Sequence, residues 1–94
     1  MKVDDAVASA FVKEGMSVLF GLLGDGQVGW WSAVAKFPQV KIVDVREEGA
    51  AVTMAEGWAM TTNKVGVASS THGPGLARMF TSLITATRSH TPLV

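Results

Sequence analysis

The chain has 94 residues, 48% of them hydrophobic, with eight basic and eight acidic side chains and no cysteine. That size and composition describe one packed domain at most. Zero formal charge gives no support to a nucleic-acid or anionic-membrane partner, and the missing thiols exclude disulfides and thiolate metal sites.

The first residues, Met1-Lys2-Val3-Asp4-Asp5, form no apolar leader, and no apolar run approaches the ~20 residues of a membrane helix. The expected location is cytoplasmic. Asp4 or Asp5 is placed to cap a first helix, because a short carboxylate accepts from free N–H groups. Val3, Val7, Ala10 and Phe11 recur at helical spacing and predict its apolar face. Gly15 is placed to end it in a left-handed cap. Residues 17–23 form an apolar run with Val18, Leu19 and Phe20, which predicts a buried strand. Gly24-Asp25-Gly26 makes a turn into a second helix over 28–37, stopped by Pro38. Residues 41–45 predict the next strand. Residues 47–60 predict a third helix with Ala51, Met54, Ala55 and Trp58 inward. Asn63 and Lys64 turn the chain into a strand over 65–69. A fourth helix over 76–89 should face Leu76, Met79, Phe80, Leu83 and Ile84 inward. Thr91 precedes a proline and is biased to extended geometry, so Pro92-Leu93-Val94 begins a fourth strand. Alternating helices and strands predict an α/β fold with a parallel sheet and right-handed crossovers. A sheet that stops as a strand begins leaves an apolar edge open, so residues 1–94 read as the front part of a longer chain.

Three constellations carry possible chemistry. Gly24, Gly26 and Gly29 fit G-x-G-x-x-G between a strand and a helix. Asp44 follows at about 20 positions, the spacing of a dinucleotide fingerprint. Against that reading, Trp30 and Trp31 follow the third glycine at once, and a whole helix precedes the first strand. Glu47 and Glu48 stand at the start of a helix, where the macrodipole alone favours carboxylates. Thr71-His72-Gly73-Pro74-Gly75 is a turn whose proline presets φ and whose glycines let backbone approach a ligand. His72 is either a substrate-orienting group or an ordinary loop residue. His90 suits a helix C-terminus. Trp30 and Trp31 cannot share one helix face, so one packs inward and the other is free for a partner subunit. Arg78 and Arg88 are expected on the exposed face of their helix.

In this order the segments resemble, nearly end to end, the N-terminal pyrimidine-binding domain of thiamine-diphosphate enzymes of the acetolactate synthase and 2-oxo-acid decarboxylase group. Val18-Leu19-Phe20-Gly21-Leu22-Leu23-Gly24 looks like that group's first strand and loop. Arg46-Glu47-Glu48 with Ala50, Ala51, Met54, Ala55, Gly57 and Ala59 looks like its "R-H-E-x-x-A-x-x-M-A-x-G-Y-A" segment. Ser70-Thr71-His72-Gly73-Pro74-Gly75 looks like its "T-x-G-P-G" segment. Three positions depart: Glu47 stands for the usual histidine, Leu23 for a proline and Arg78 for an asparagine.

The resemblance implies that Glu48 is the catalytic acid, hydrogen-bonded to N1′ of the cofactor's aminopyrimidine. It implies that Gly24, Thr71, Gly73, Pro74 and Gly75 line the pyrimidine pocket, and that the substrate is a 2-oxo acid. Gly24-Asp25-Gly26 is not the diphosphate motif of these enzymes, since no asparagine follows between Gln39 and Glu56. The resemblance therefore assigns the diphosphate and Mg²⁺ to a C-terminal domain outside this chain, with no metal ligand here. It also implies a homo-oligomer, dimer or tetramer, with cofactor at the subunit interface. The alternatives are a dinucleotide-binding module of an NAD(P) oxidoreductase and a non-catalytic fragment that only dimerises.

Overall fold

A computed structural model describes all residues from Met1 to Val94. Four helices alternate with three strands: α1 (Val3–Lys13), β1 (Val18–Gly21), α2 (Val28–Val34), β2 (Lys41–Asp44), α3 (Glu48–Thr62), β3 (Ala68–Ser69) and α4 (Pro74–Arg88). A single 3₁₀ turn, Asp25–Gln27, leads into α2. The sheet order is β2-β1-β3, and both pairings are parallel. A parallel bridge between Gly66 and Leu93 starts a fourth strand beside β3, as the Thr91-Pro92 dipeptide predicts. The α/β parallel architecture expected from the sequence is the one found.

β1 is the centre because it is apolar on both faces. Successive side chains of a strand point to opposite sides. Leu19 enters one core with Ala8, Met16, Trp31, Ala33, Val34 and Val67, beneath α1 and α2. Phe20 enters the other with Val45, Ala51 and Ala55, beneath α3. The two layers of helix differ in depth. α3 lies on the sheet, and α4 packs against α3.

The helix ends follow local chemistry. α1 ends in a Schellman arrangement: Gly15 N–H donates to Val12 O and Met16 N–H to Phe11 O, each at 3.0 Å. Gly15 adopts φ +100°, as a left-handed terminator must. Asn63, at φ 57°, closes α3 in the same way. Pro74 opens α4 at its first turn, where no N–H is needed. Asp4 and Asp5 do not cap α1. Lys2 holds the cap position, and both carboxylates lie in the first turn. Asp5 pairs with Lys36 at 3.0 Å, a contact that pulls its carboxyl below the usual carboxylate range.

The inward faces of α1, α3 and α4 match the sequence reading only in part: Phe11, Ala51, Ala55, Trp58 and Met79 pack inward as expected. On α1 the buried residue is Ala8, with Phe11 and Val12 packed beside it, while Val3 and Val7 are exposed. On α3, Val52 and Ala59 are buried and Met54 is out. On α4, Met79, Gly75 and Ala86 face in, while Leu76, Phe80 and Ile84 are about half exposed. Trp31 is the inward tryptophan. Trp30 lies edge-on against Phe11 at 5.4 Å rather than standing free for a partner.

Two glycines give opposite expectations. Gly15→Ala forces a side chain into a left-handed conformation and should cost about 1–2 kcal/mol. Gly57 sits inside α3 with nothing near the place a Cβ would take, so Gly57→Ala should add about 0.5–1 kcal/mol. Urea unfolding of the two variants should give shifts of opposite sign; shifts of the same sign would contradict the backbone assignment at Gly15 or Gly57.

Candidate functional site

Parallel pairing puts the C-terminal ends of β1, β2 and β3 on one edge, the side where open α/β sheets receive ligands. Three loops meet there. The loop after β1 carries Gly24 to Gln27, that after β2 carries Arg46 and Glu47, and that after β3 carries Ser70 to Gly73.

The first and third loops are locked together. A Cβ on Gly24 would come within 2.5 Å of Thr71 Cβ, and one on Gly26 within 2.5 Å of His72 Nδ1. The Gly26 N–H donates to Thr71 Oγ1 at 3.1 Å. Gly29 is likewise bare where Asp4 of α1 packs. Each glycine of the G-x-G-x-x-G pattern is thus accounted for by a protein contact, and the dinucleotide alternative gains nothing from the loop.

Below the loops lies a polar layer that sequence reasoning missed. Gln27 is 6% exposed. Its Nε2 donates to Ser69 Oγ, which also accepts from Trp31 Nε1 at 3.1 Å. Gln27 Oε1 has no partner within the protein. Gly21 makes this possible, because a Cβ there would collide with the Trp31 ring at 2.6 Å. The available signal was spacing: Gln27 and Trp31 are one helical turn apart and so share a face.

The two adjacent glutamates have different tasks. Glu47 is the N-cap of α3. Its carboxylate accepts from Gly49 N–H at 2.9 Å and Ala50 N–H at 3.1 Å, which satisfies two otherwise free donors. Those backbone bonds, the one to Gly49 first, hold its carboxyl below the usual glutamate range, and Arg78 adds to the effect. Glu48 is the first helical residue and turns toward α4. Its side chain is only 13% exposed. Its Oε1 lies 3.6 Å from where a Cβ on Gly75 would stand, and Thr71 Cγ2 lies 3.0 Å from that same point.

Arg78 is exposed, as expected, but it is not idle. Its Nε sits 3.6 Å from Glu47 Oε1 and 3.5 Å from Glu48 Oε2. The residues singled out from the sequence, Gly24, Glu48, Thr71, Gly73, Pro74 and Gly75, therefore gather on one edge. Gly73, at φ +67°, presents bare backbone with nothing within 4 Å of where a side chain would stand.

Comparison with known proteins agrees in kind. A family model described as "Thiamine pyrophosphate enzyme, N-terminal TPP binding domain" matches residues 1–94. The chain is 33% identical over 90 residues to the acetolactate synthase large subunit of Haemophilus influenzae, covering 96% of this chain and 16% of that protein. It is 34% identical over 90 residues to the acetolactate synthase isozyme 3 large subunit of Escherichia coli K12, with the same coverage. It is 29% identical over its whole length to a sulfoacetaldehyde acetyltransferase of Castellaniella defragrans, again 16% of the relative. The chain thus spans about a sixth of the length of the relatives it matches.

The capping role of Glu47 sets a pH signature. Its proton affinity is lowered on folding, so its contribution is full above the ordinary glutamate pKa of about 4.3 and is lost as pH falls below it. Glu47→Gln should be less stable than wild type at pH 7, and the gap in urea midpoint should close toward pH 3. A gap that stays constant with pH would remove the charged cap from the account.

Proposed function

The chain belongs to the thiamine pyrophosphate enzyme family, through its N-terminal TPP binding domain, and on that footing we propose that it supplies the aminopyrimidine half of a thiamine-diphosphate site with Glu48 as the proton-exchanging acid. One observation carries the reading. Glu48 is a largely buried carboxylate on the ligand-binding edge, beside Gly75 and a bare Gly73-Pro74 backbone.

The residues fit a flat heteroaromatic ring. Gly73 leaves backbone uncovered by side chains, and Thr71 and Glu48 flank the buried Gly75. When bound, thiamine diphosphate supplies the electron sink for making or breaking the carbon–carbon bond next to the carbonyl of a 2-oxo acid. Glu48 would hold or share a proton at the ring nitrogen N1′. Burial of its side chain keeps water from competing for that proton. The loop backbone of Gly24 and Gly73 to Gly75, with Thr71, would fix the plane of the ring, and Pro74 keeps the turn stiff.

Within this proposal the complete enzyme acts on 2-oxo acids by acetolactate synthase-like carboligation or by decarboxylation. The names of the relatives support that substrate class. No three His, Cys, Asp or Glu side chains of this chain come together as a metal site. Within the proposal, as the family resemblance implies, magnesium and the diphosphate are held by a domain beyond these residues, across a homo-oligomeric interface. No helix is long and apolar enough to cross a membrane. A cytoplasmic location is part of the proposal.

Two outcomes test the proposal. In the full-length protein, Glu48→Gln keeps the shape but cannot exchange a proton, so turnover of pyruvate should fall ~10²–10⁴-fold, with hydrogen–deuterium exchange at cofactor C2 slowed alike. Glu47→Gln should cost far less; the reverse order would assign the acid to the wrong glutamate. Calorimetry on the 94 residues alone should show neither tight thiamine-diphosphate binding nor saturable NAD binding. Micromolar NAD binding abolished by Gly26→Val would restore the dinucleotide reading.

A further inference from the structure

An anionic substrate approaching this edge meets two carboxylates, Glu47 and Glu48. Arg78 already serves both, so its charge is spent within the chain. Two basic side chains of the loops remain without a carboxylate partner. Arg46 is exposed after β2, with no ion pair and no hydrogen bond to fix its side chain. His72 is held.

His72 lies over Gly26, which has no side chain to displace it. Its Nδ1 is 3.3 Å from Thr71 Oγ1. That oxygen already accepts the Gly26 N–H, so the hydroxyl proton is free to be given to Nδ1. A hydroxyl donating to Nδ1 leaves the ring proton on Nε2. With the hydroxyl as donor, a short chain runs from Gly26 N–H to Thr71 O–H to His72 and leaves the Nε2–H of this exposed residue free. The same threonine lies beside Gly75, close to Glu48.

Resting on the 2-oxo-acid reading of this edge, we propose that His72 binds the substrate carboxylate, donating from Nε2, and that Thr71 sets the tautomer which makes it a donor. Such a bond to a charged group contributes ~1.5–3 kcal/mol, or roughly a tenfold to hundredfold change in binding. It is made in the ground state, so it should act on KM more than on kcat.

The test uses the full-length protein loaded with thiamine diphosphate and Mg²⁺, with pyruvate as probe. His72→Phe should raise KM for pyruvate about tenfold or more while kcat changes less than about threefold, and His72→Gln, which keeps an N–H, should recover part of the loss. Independently of turnover, long-range ¹H–¹⁵N spectra of histidine-labelled protein should show His72 protonated at Nε2, with that resonance shifting as pyruvate is added. A proton on Nδ1, or a KM unmoved in His72→Phe, overturns the assignment to His72 alone. A wild-type protein that binds cofactor but leaves pyruvate untouched overturns the functional reading together with it. Should His72→Phe fail to fold, the wild-type spectra decide.

Discussion

Everything at the candidate site depends on β1 being paired in parallel on both sides. Gly21, at its last position, is opposite Asp44 on one side and Ser69 on the other. Parallel strands all finish at the same edge, so three chain reversals are forced into one small region. The sheet thereby brings together residues from positions 24, 48 and 71 that share no local structure. The two faces of β1 anchor the arrangement. Leu19 fixes one helical layer and Phe20 the other, so neither layer can slide without exposing a large side chain.

At the edge one arginine is shared by two carboxylates. Two residues that depart from the usual family pattern, Glu47 and Arg78, touch each other. Glu47 adds a negative charge next to Glu48, and Arg78 brings a positive charge to both. The cap bonds from Gly49 and Ala50 keep the Glu47 carboxylate turned to the helix end. Glu48 is left to face Gly75. Adjacent residues at a helix start point in different directions, and that geometry separates the carboxylate that caps α3 from the one that turns toward α4.

Much of this was legible in the sequence, because glycine, proline and strand length act locally. Gly15, Asn63 and Pro74 mark helix ends through backbone preference, and each does so here. The parallel pairing, and with it the meeting of the turns near positions 24, 48 and 71 at one edge, follows from alternation of elements, whereas the strand order β2-β1-β3 does not. The inward faces were harder. Periodicity finds an apolar stripe but cannot say which of two stripes has a neighbour. Hydropathy favoured Leu76, Phe80 and Ile84, yet α4 buries Gly75, Met79 and Ala86, and its close approach to α3 is at Gly49, where a Cβ would lie 3.1 Å from Ser82 Oγ and 3.3 Å from Arg78 O. Ala8, Ala51, Ala55 and Ala59 are small and buried too. The Gln27–Ser69–Trp31 layer was missed because Ser69, which joins the other two, is far from them in sequence and polar groups give no periodic signal.

The interlock of the first and third loops restricts how this protein can change over generations. Positions 24 and 71 share one volume, as do 26 and 72: a side chain gained on one member must be matched by atoms removed from the other. A side chain at Gly24 or Gly26 therefore has to displace Thr71 or His72, and is accommodated most readily on a background in which that residue has already become smaller. Such order dependence ties the diversification of the two loops together. Variants of one loop selected alone would be drawn from a narrow set, whereas libraries that vary both loops at once can reach combinations that single steps do not.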